Sequence, residues 1–192
     1  MAYTGLKYCV FAPITTEEPF SPIVYGKGVV LGKMISANIT MTRNSDPLYA
    51  DDAIAESDNS ITGGTISLNL DDIDDAARVA AFGVLKEGEP DSETYSETGD
   101  PTPYGGLGYI RVRRLKGVTN YVAYWVHKCQ IAINTDSANT KGSTITWQTP
   151  TVDGTIMAAY PNADKKARFR DYASFATEED AYSWINEKAG IA

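Results

Sequence analysis

Between Met34 and Arg43 the chain alternates Ile35, Ala37, Ile39 and Met41 with Ser36, Asn38, Thr40 and Thr42. A period of two gives an extended segment one apolar and one polar face, so this stretch is predicted to be a half-buried antiparallel strand. Comparable segments run from Leu6 to Ala12, Thr65 to Leu70, Gly108 to Leu115, Tyr121 to Ile133, Ser143 to Gln148 and Thr155 to Ala159, punctuated by Gly, Asn, Asp and Pro clusters. So many short strands in 192 residues, 43% of them apolar, point to one well-cored, mainly β domain. Its expected form is an antiparallel β-sandwich or barrel-like sheet pair.

The segment from Tyr121 to Ile133 is apolar on both faces: Tyr121, Ala123, Trp125 and Ile131 on one, Val122, Tyr124, Val126 and Ala132 on the other. It is expected to be a central strand covered on both sides. Beside it, Ile110 and Val112 are expected to point inward. Arg111 and Arg113 then share the opposite face and, with Arg114, are candidates for contact with an acidic partner surface.

Two helices are expected. One is capped by Asp71 or Asp72 and runs to about Lys86, with Asp74 and Asp75 favoured by the dipole of its first turn and a stripe of Ile73, Ala76, Ala77, Ala80 and Val84. The other starts at Thr177, with Asp180 three residues on, and stops at Gly190. Residues 87–103 are acidic and turn-rich and are expected to form an exposed mobile loop. Residues 161–192 are read as a C-terminal loop and helix, the loop carrying Lys165, Lys166, Arg168 and Arg170.

Little catalytic chemistry is legible. The only histidine, His127, sits in the most apolar strand and reads as structural. No GxSxG elbow presents a serine to it. The carboxylates Asp51, Asp52 and Glu56 lack a phosphate cradle, and in a strand the first two would point to opposite faces. The Asp71, Asp72, Asp74, Asp75 cluster lacks the glycine and distal glutamate of a calcium loop. The chain is therefore not expected to be an enzyme or to hold a metal or cofactor. Cys9 and Cys129 have no CxxC partner and read as reduced core thiols.

A net charge of −8 disfavours tight nucleic-acid binding, which draws its free energy from Lys and Arg releasing counterions. The same charge serves solubility, or a surface that repels phosphates. No apolar run is long enough to span a membrane, and the opening residues lack a secretory signal, so synthesis and folding in a cytosol are expected.

Leu48 to Asp58, followed after one turn by Gly63 to Ile73, resembles a signature of the major tail proteins of long-tailed, non-contractile bacteriophages. Further ordered stretches are similar to that family: Gly5 to Tyr8, Val30 to Lys33, Ile39 to Thr42, Tyr104 to Tyr109, Ala123 to Lys128, Ala138 to Gly142, Gln148 to Met157 and Glu187 to Ile191. The chain departs from it at Ala80 to Leu85, where the family carries a leucine-rich helical turn, and in the 87–103 segment.

The resemblance implies a single tail-tube domain over 1–192, a β-sandwich with one flanking helix and a short C-terminal one, related to the tubes of contractile tails and type VI secretion systems. Subunits of this kind close into rings, hexameric in the family, that stack into a conduit in the virion tail. Its partners would be further copies of itself and the tape-measure, tail-terminator and distal-tail proteins. DNA would pass through the lumen without specific binding. Tyr49, Asp51, Asp52 and Glu56 are then candidates for subunit contacts or fold-locking hydrogen bonds, and Arg111, Arg113 and Arg114 for interfacial charge. Two other readings stay open: a tail-completion or head-tail joining ring protein, and a carbohydrate-binding β-sandwich using Tyr95, Tyr104, Trp125 and Trp147.

Overall fold

The computed structural model describes residues 2–135, 139–140, 147–160 and 162–191. In chain order it has β1 (Ala2–Thr16), β2 (Val24–Tyr25), β3 (Val29–Gly32), β4 (Met34–Arg43), β5 (Pro47–Ala50), β6 (Ala53–Ser57), β7 (Ile61–Leu70) and α1 (Asp75–Phe82). There follow β8 (Leu85–Glu87), β9 (Thr94–Ser96), β10 (Tyr104–Leu115), β11 (Val118–Thr135), β12 (Thr151–Ile156), β13 (Arg170–Phe175) and α2 (Glu178–Ala189). The protein is mainly β, with 55% of the described residues in strand against 11% in helix. Among the described residues no helix is long and apolar enough to cross a membrane.

Among the described residues nine strands form one antiparallel sheet in the order β2-β1-β10-β11-β12-β7-β4, with β3 added to β1 and β13 to β11. The sheet curls on itself. Cys9 and Phe11 of β1, Leu107 of β10 and Val126 of β11 share a core with Ile66, Leu68 and Leu70 of β7 and with Ala37, Ile39 and Met41 of β4. One sheet thus supplies both layers of a sandwich, and α1 adds Ile73, Ala77 and Ala81 to the same core. On the other face, α2 lays Ala181, Ile185 and Ala189 against Val10, Ala12, Ile110, Ala123 and Trp125.

The central position expected for Tyr121 to Ile133 holds, because β11 carries α2 on one face and the core on the other. Its faces exchange midway, however. Leu107 pairs with Val126 and Gly105 with Cys129, so β11 spends one more residue than β10 between these points. This bulge turns Ile131 to the side of Val126 and away from Trp125. A shift at the start of β4 acts similarly: Met34 faces the core and Ile35 is exposed, the reverse of the strict alternation.

The second helix has the limits its capping residues indicate. Thr177 Oγ1 accepts from the Asp180 N–H at 3.2 Å and donates to Asp180 Oδ2 at 2.6 Å, and Gly190 closes the helix in a left-handed conformation. The first helix is shorter than expected. Its cap is Asp74, which accepts from the Ala77 N–H at 2.7 Å, and Gly83 at φ 70° ends it. Asp71 instead accepts from the Lys33 and Asp72 N–H groups and ties the end of β7 to the start of β4. The buried stripe is Ile73, Ala77, Ala81 and Val84, while Ala76 faces solvent.

The 87–103 segment is not wholly a loop, since β8 and β9 pair as a hairpin held at its side by a 2.6 Å contact between Lys86 and Glu93. The 161–192 region likewise contains a strand, β13, besides its loop and helix. The strand expected from Thr155 to Ala159 lies earlier, at Thr151–Ile156. The strand expected over Ser143 to Gln148 falls largely outside the described residues, as do Ala138, Lys141 and Gly142 of the family-like stretch and Pro161 of the basic loop.

Candidate functional site

The strands β5 and β6 belong to a two-stranded sheet of their own, separate from the nine-stranded one. They form an arm inserted between β4 and β7. Its root is fixed by the Asn44 N–H donating to the Ser60 carbonyl at 2.8 Å, Arg43 Nη1 donating to the Asn59 carbonyl at 3.0 Å, and Asn44 Nδ2 donating to Asp58 at 2.9 Å. Beyond the root every residue from Ser45 to Asn59 is exposed.

Asp51 and Asp52 occupy the tip, both with left-handed backbone (φ 51° and 60°), and Ala50 pairs with Ala53 across them. This is the two-residue reversal favoured in hairpins, and aspartate tolerates its positive φ better than most residues. The expectation that the two carboxylates point to opposite faces of a strand is therefore replaced by a turn that presents both at one end. Tyr49 pairs with Ile54, and Leu48 with Glu56.

Leu48, Tyr49 and Ile54 are 60%, 65% and 60% exposed. A two-stranded hairpin in water is at best marginally stable, and these three side chains leave an apolar patch exposed on the arm. Five carboxylates and no basic residue accompany them between Asn44 and Ser60.

The arginine candidates lie elsewhere, on β10 of the main sheet, and the fold does not bring them to the arm. Arg111 is half-buried, with its guanidinium 3.7 Å from the centre of the Tyr3 ring. Tyr3 and Tyr124 share a hydroxyl hydrogen bond of 3.1 Å, and Tyr124 stacks on Tyr109 at 5.0 Å. Arg170 continues the series, donating to Tyr109 Oη at 3.3 Å and lying 5.0 Å from the Tyr124 ring. Arg113 is half-buried on the same face as Arg111, and Arg114 is exposed. Arg111 is thus partly engaged within its own chain.

His127 is buried, with Nε2 3.1 Å from Asp171 Oδ2. The imidazole, assisted by Lys188, holds the Asp171 carboxyl below its usual range against the opposing effect of burial. Tyr25 Oη donates to the His127 carbonyl at 2.8 Å and accepts from Trp125 Nε1 at 3.3 Å. These bonds tie β2 and β13 to β11 around the bulge. Of the aromatics weighed for sugar binding, Trp125 is committed to this core, Tyr95 is held by Glu93 in the β8–β9 hairpin, and Trp147 is exposed.

Cys9 and Cys129 are free and fully buried, and burial pushes the Cys9 thiol up to about 12. Among the described residues no group of three or more His, Cys, Asp or Glu side chains is placed to hold a metal ion.

Sequence reasoning selected Tyr49, Asp51, Asp52 and Glu56 but missed Leu48 and Ile54, which make the arm apolar. The available signal was a pair of acidic residues flanked by apolar ones on both sides. It was weak, because Asp-Asp is not among the glycine-containing pairs that mark such turns most clearly. No protein-family model matches the chain, and no curated protein matches it in sequence.

Proposed function

We propose that this protein is a structural subunit of a tube: a tail-tube protein of a long, non-contractile bacteriophage tail, assembled in the host cytoplasm and resident in the virion. The observation that carries the reading is the exposed apolar arm with its acidic tip, standing off a β body whose own core is complete. An arm of that kind serves contact with another chain.

Two further features support it. Among the described residues β4 ends the main sheet path with no strand on its outer side, and joining edges between subunits removes an aggregation hazard. The net charge of −8 suits a conduit that phosphates slide past without adhering. By the resemblance, six copies close a ring, rings stack, and the tape-measure, terminator and distal-tail proteins meet the tube along its length and at its ends.

Negative-stain electron microscopy of the purified protein across a concentration series, with sedimentation on the same samples, tests this. Tubes or stacked rings of uniform width are expected. Single rings that never stack would favour the tail-completion or joining role. A chain that stays monomeric, and is missing from isolated tails, overturns the reading.

A further inference from the structure

We propose that the β5–β6 arm of one copy docks in a basic groove at the arm root of a second copy, placing Asp51 and Asp52 near Lys166 and Arg43. This rests on the self-assembling role proposed above and adds the surface that receives the arm.

The groove holds about 460 Å³ and lies between the end of β4, the start of β7 and the segment that leads into β13. Met41, Ile61 and Tyr172 give it an apolar lining, and Tyr172 is largely exposed. Among the described residues its charged lining is basic, Arg43, Lys166, Arg168 and Arg170 against Asp171; Arg168 is paired with Asp164 at 3.0 Å and Arg170 donates to Tyr109, so Arg43 and Lys166 are the cations assigned to the tip. The arm offers the complement in both respects: Leu48, Tyr49 and Ile54 to cover the apolar part and five carboxylates to meet the cations.

Charge also selects this groove over the other large one. A space of about 620 Å³ between β1, β3 and the start of α1 is lined by three acids, Asp71, Asp72 and Asp74, against Lys33 and Lys7, and Lys7 is already bound to Glu178 at 2.8 Å. An acidic tip is repelled there. The chain's own arm does not reach its own groove. The tip is seven residues from the root at Asn44, a contour of about 23 Å at ~3.3 Å per residue, and the root is where the groove lies. The occupant is therefore a second copy. Because arm and groove are different surfaces, the contact is head-to-tail, which propagates into rings or filaments.

The test uses two variants of the full chain. The arm variant carries Leu48→Ser, Tyr49→Ser and Ile54→Ser; the groove variant carries Lys166→Glu and Tyr172→Ser. All five positions are exposed, and circular dichroism and thermal melts verify that each variant keeps its fold. Sedimentation should find each variant monomeric at concentrations where the unaltered chain assembles. Mixed in equal amounts, they should form a one-to-one complex and stop, since the first retains a groove and the second an arm. A third variant, Asp51→Asn with Asp52→Gly, keeps a favoured turn while removing both charges. It should raise the assembly concentration about tenfold and flatten its salt dependence.

Variants that assemble like the unaltered chain overturn arm docking and leave the tube reading standing. Variants that are monomeric alone and fail to pair when mixed overturn the match of these two surfaces. A full chain monomeric at every concentration, and absent from isolated tails, overturns both proposals.

Discussion

Gly108 lies beneath Ile185: a Cβ at Gly108 would come within 2.7 Å of Ile185 Cγ2 and 3.0 Å of the Trp125 ring. The helix α2 therefore rests on β10 at a distance that only a residue without a side chain permits. Gly106 meets the same constraint, its missing Cβ falling 2.4 Å from the Trp125 ring. Gly108→Ala is expected to cost about 1–3 kcal/mol through overpacking. Ile185→Ala alone should cost about 2–5 kcal/mol, but the double substitution should be less damaging than the sum of the two, because the alanine at 108 then fills space the helix has vacated. Denaturant melts of the four proteins read this coupling directly.

Arg111 stacks on Tyr3 within the chain, and the tube proposal gives it a second role as interfacial charge. Arg111→Lys should lower stability by about 0.5–1 kcal/mol as the planar stack is lost, and leave assembly unchanged. Arg111→Glu with Arg113→Glu should suppress assembly well beyond that loss. Tube formation by the charge-reversed protein, seen by electron microscopy at the usual concentration, would remove both residues from the interface.

The Asp171 carboxyl is held below its ordinary value by His127, so its folded pKa lies under its unfolded one. The stabilisation it supplies is therefore fully present above the unfolded value of about 4 and is lost as pH falls through the folded value. Asp171 is partly open to solvent, which screens the effect. Asp171→Asn should cost about 0.5–1 kcal/mol near neutral pH. The gap between variant and parent should close on acidification, as followed by melts at stepped pH. A gap that widens toward acid would contradict the assignment.

Cys9 and Cys129 lie in the core, with thiols whose ionisation burial opposes. A disulfide reagent at pH 8 should leave the native protein unlabelled over a period in which an exposed thiol reacts to completion. After unfolding in guanidinium, both cysteines should react. Rapid labelling of the native chain would place at least one thiol at the surface.

Local pattern and capping chemistry made much of this fold legible. The limits of β4 and α2 follow from Met34 to Arg43 and from Thr177 to Gly190, because alternation and caps are properties of adjacent residues. The course of β11 was legible only in part. Its apolar residues announced burial on both faces, but the bulge that swings Ile131 away from Trp125 arises from pairing with β10, and no single segment encodes a register. Likewise the glycines from Gly105 to Gly108 were visible as a run, yet their reason is the helix and rings that close over them from remote parts of the chain.

The candidate site divides in the same way. Sequence alone determined that the chain is β-rich, that Thr177 caps α2, that the Leu48 to Asp58 stretch combines apolar and acidic residues, and that a second segment near Arg170 is basic. Those are consequences of composition, period and nearest neighbours. Only the tertiary structure decided that Asp51 and Asp52 form a tip and that Leu48, Tyr49 and Ile54 are left without cover. It alone joined Arg43 and Ile61 to Lys166 and Tyr172 in one groove. Exposure and juxtaposition depend on what the rest of the chain packs against, and that is settled by the curl of the sheet, a sum of many distant contacts that no local window contains.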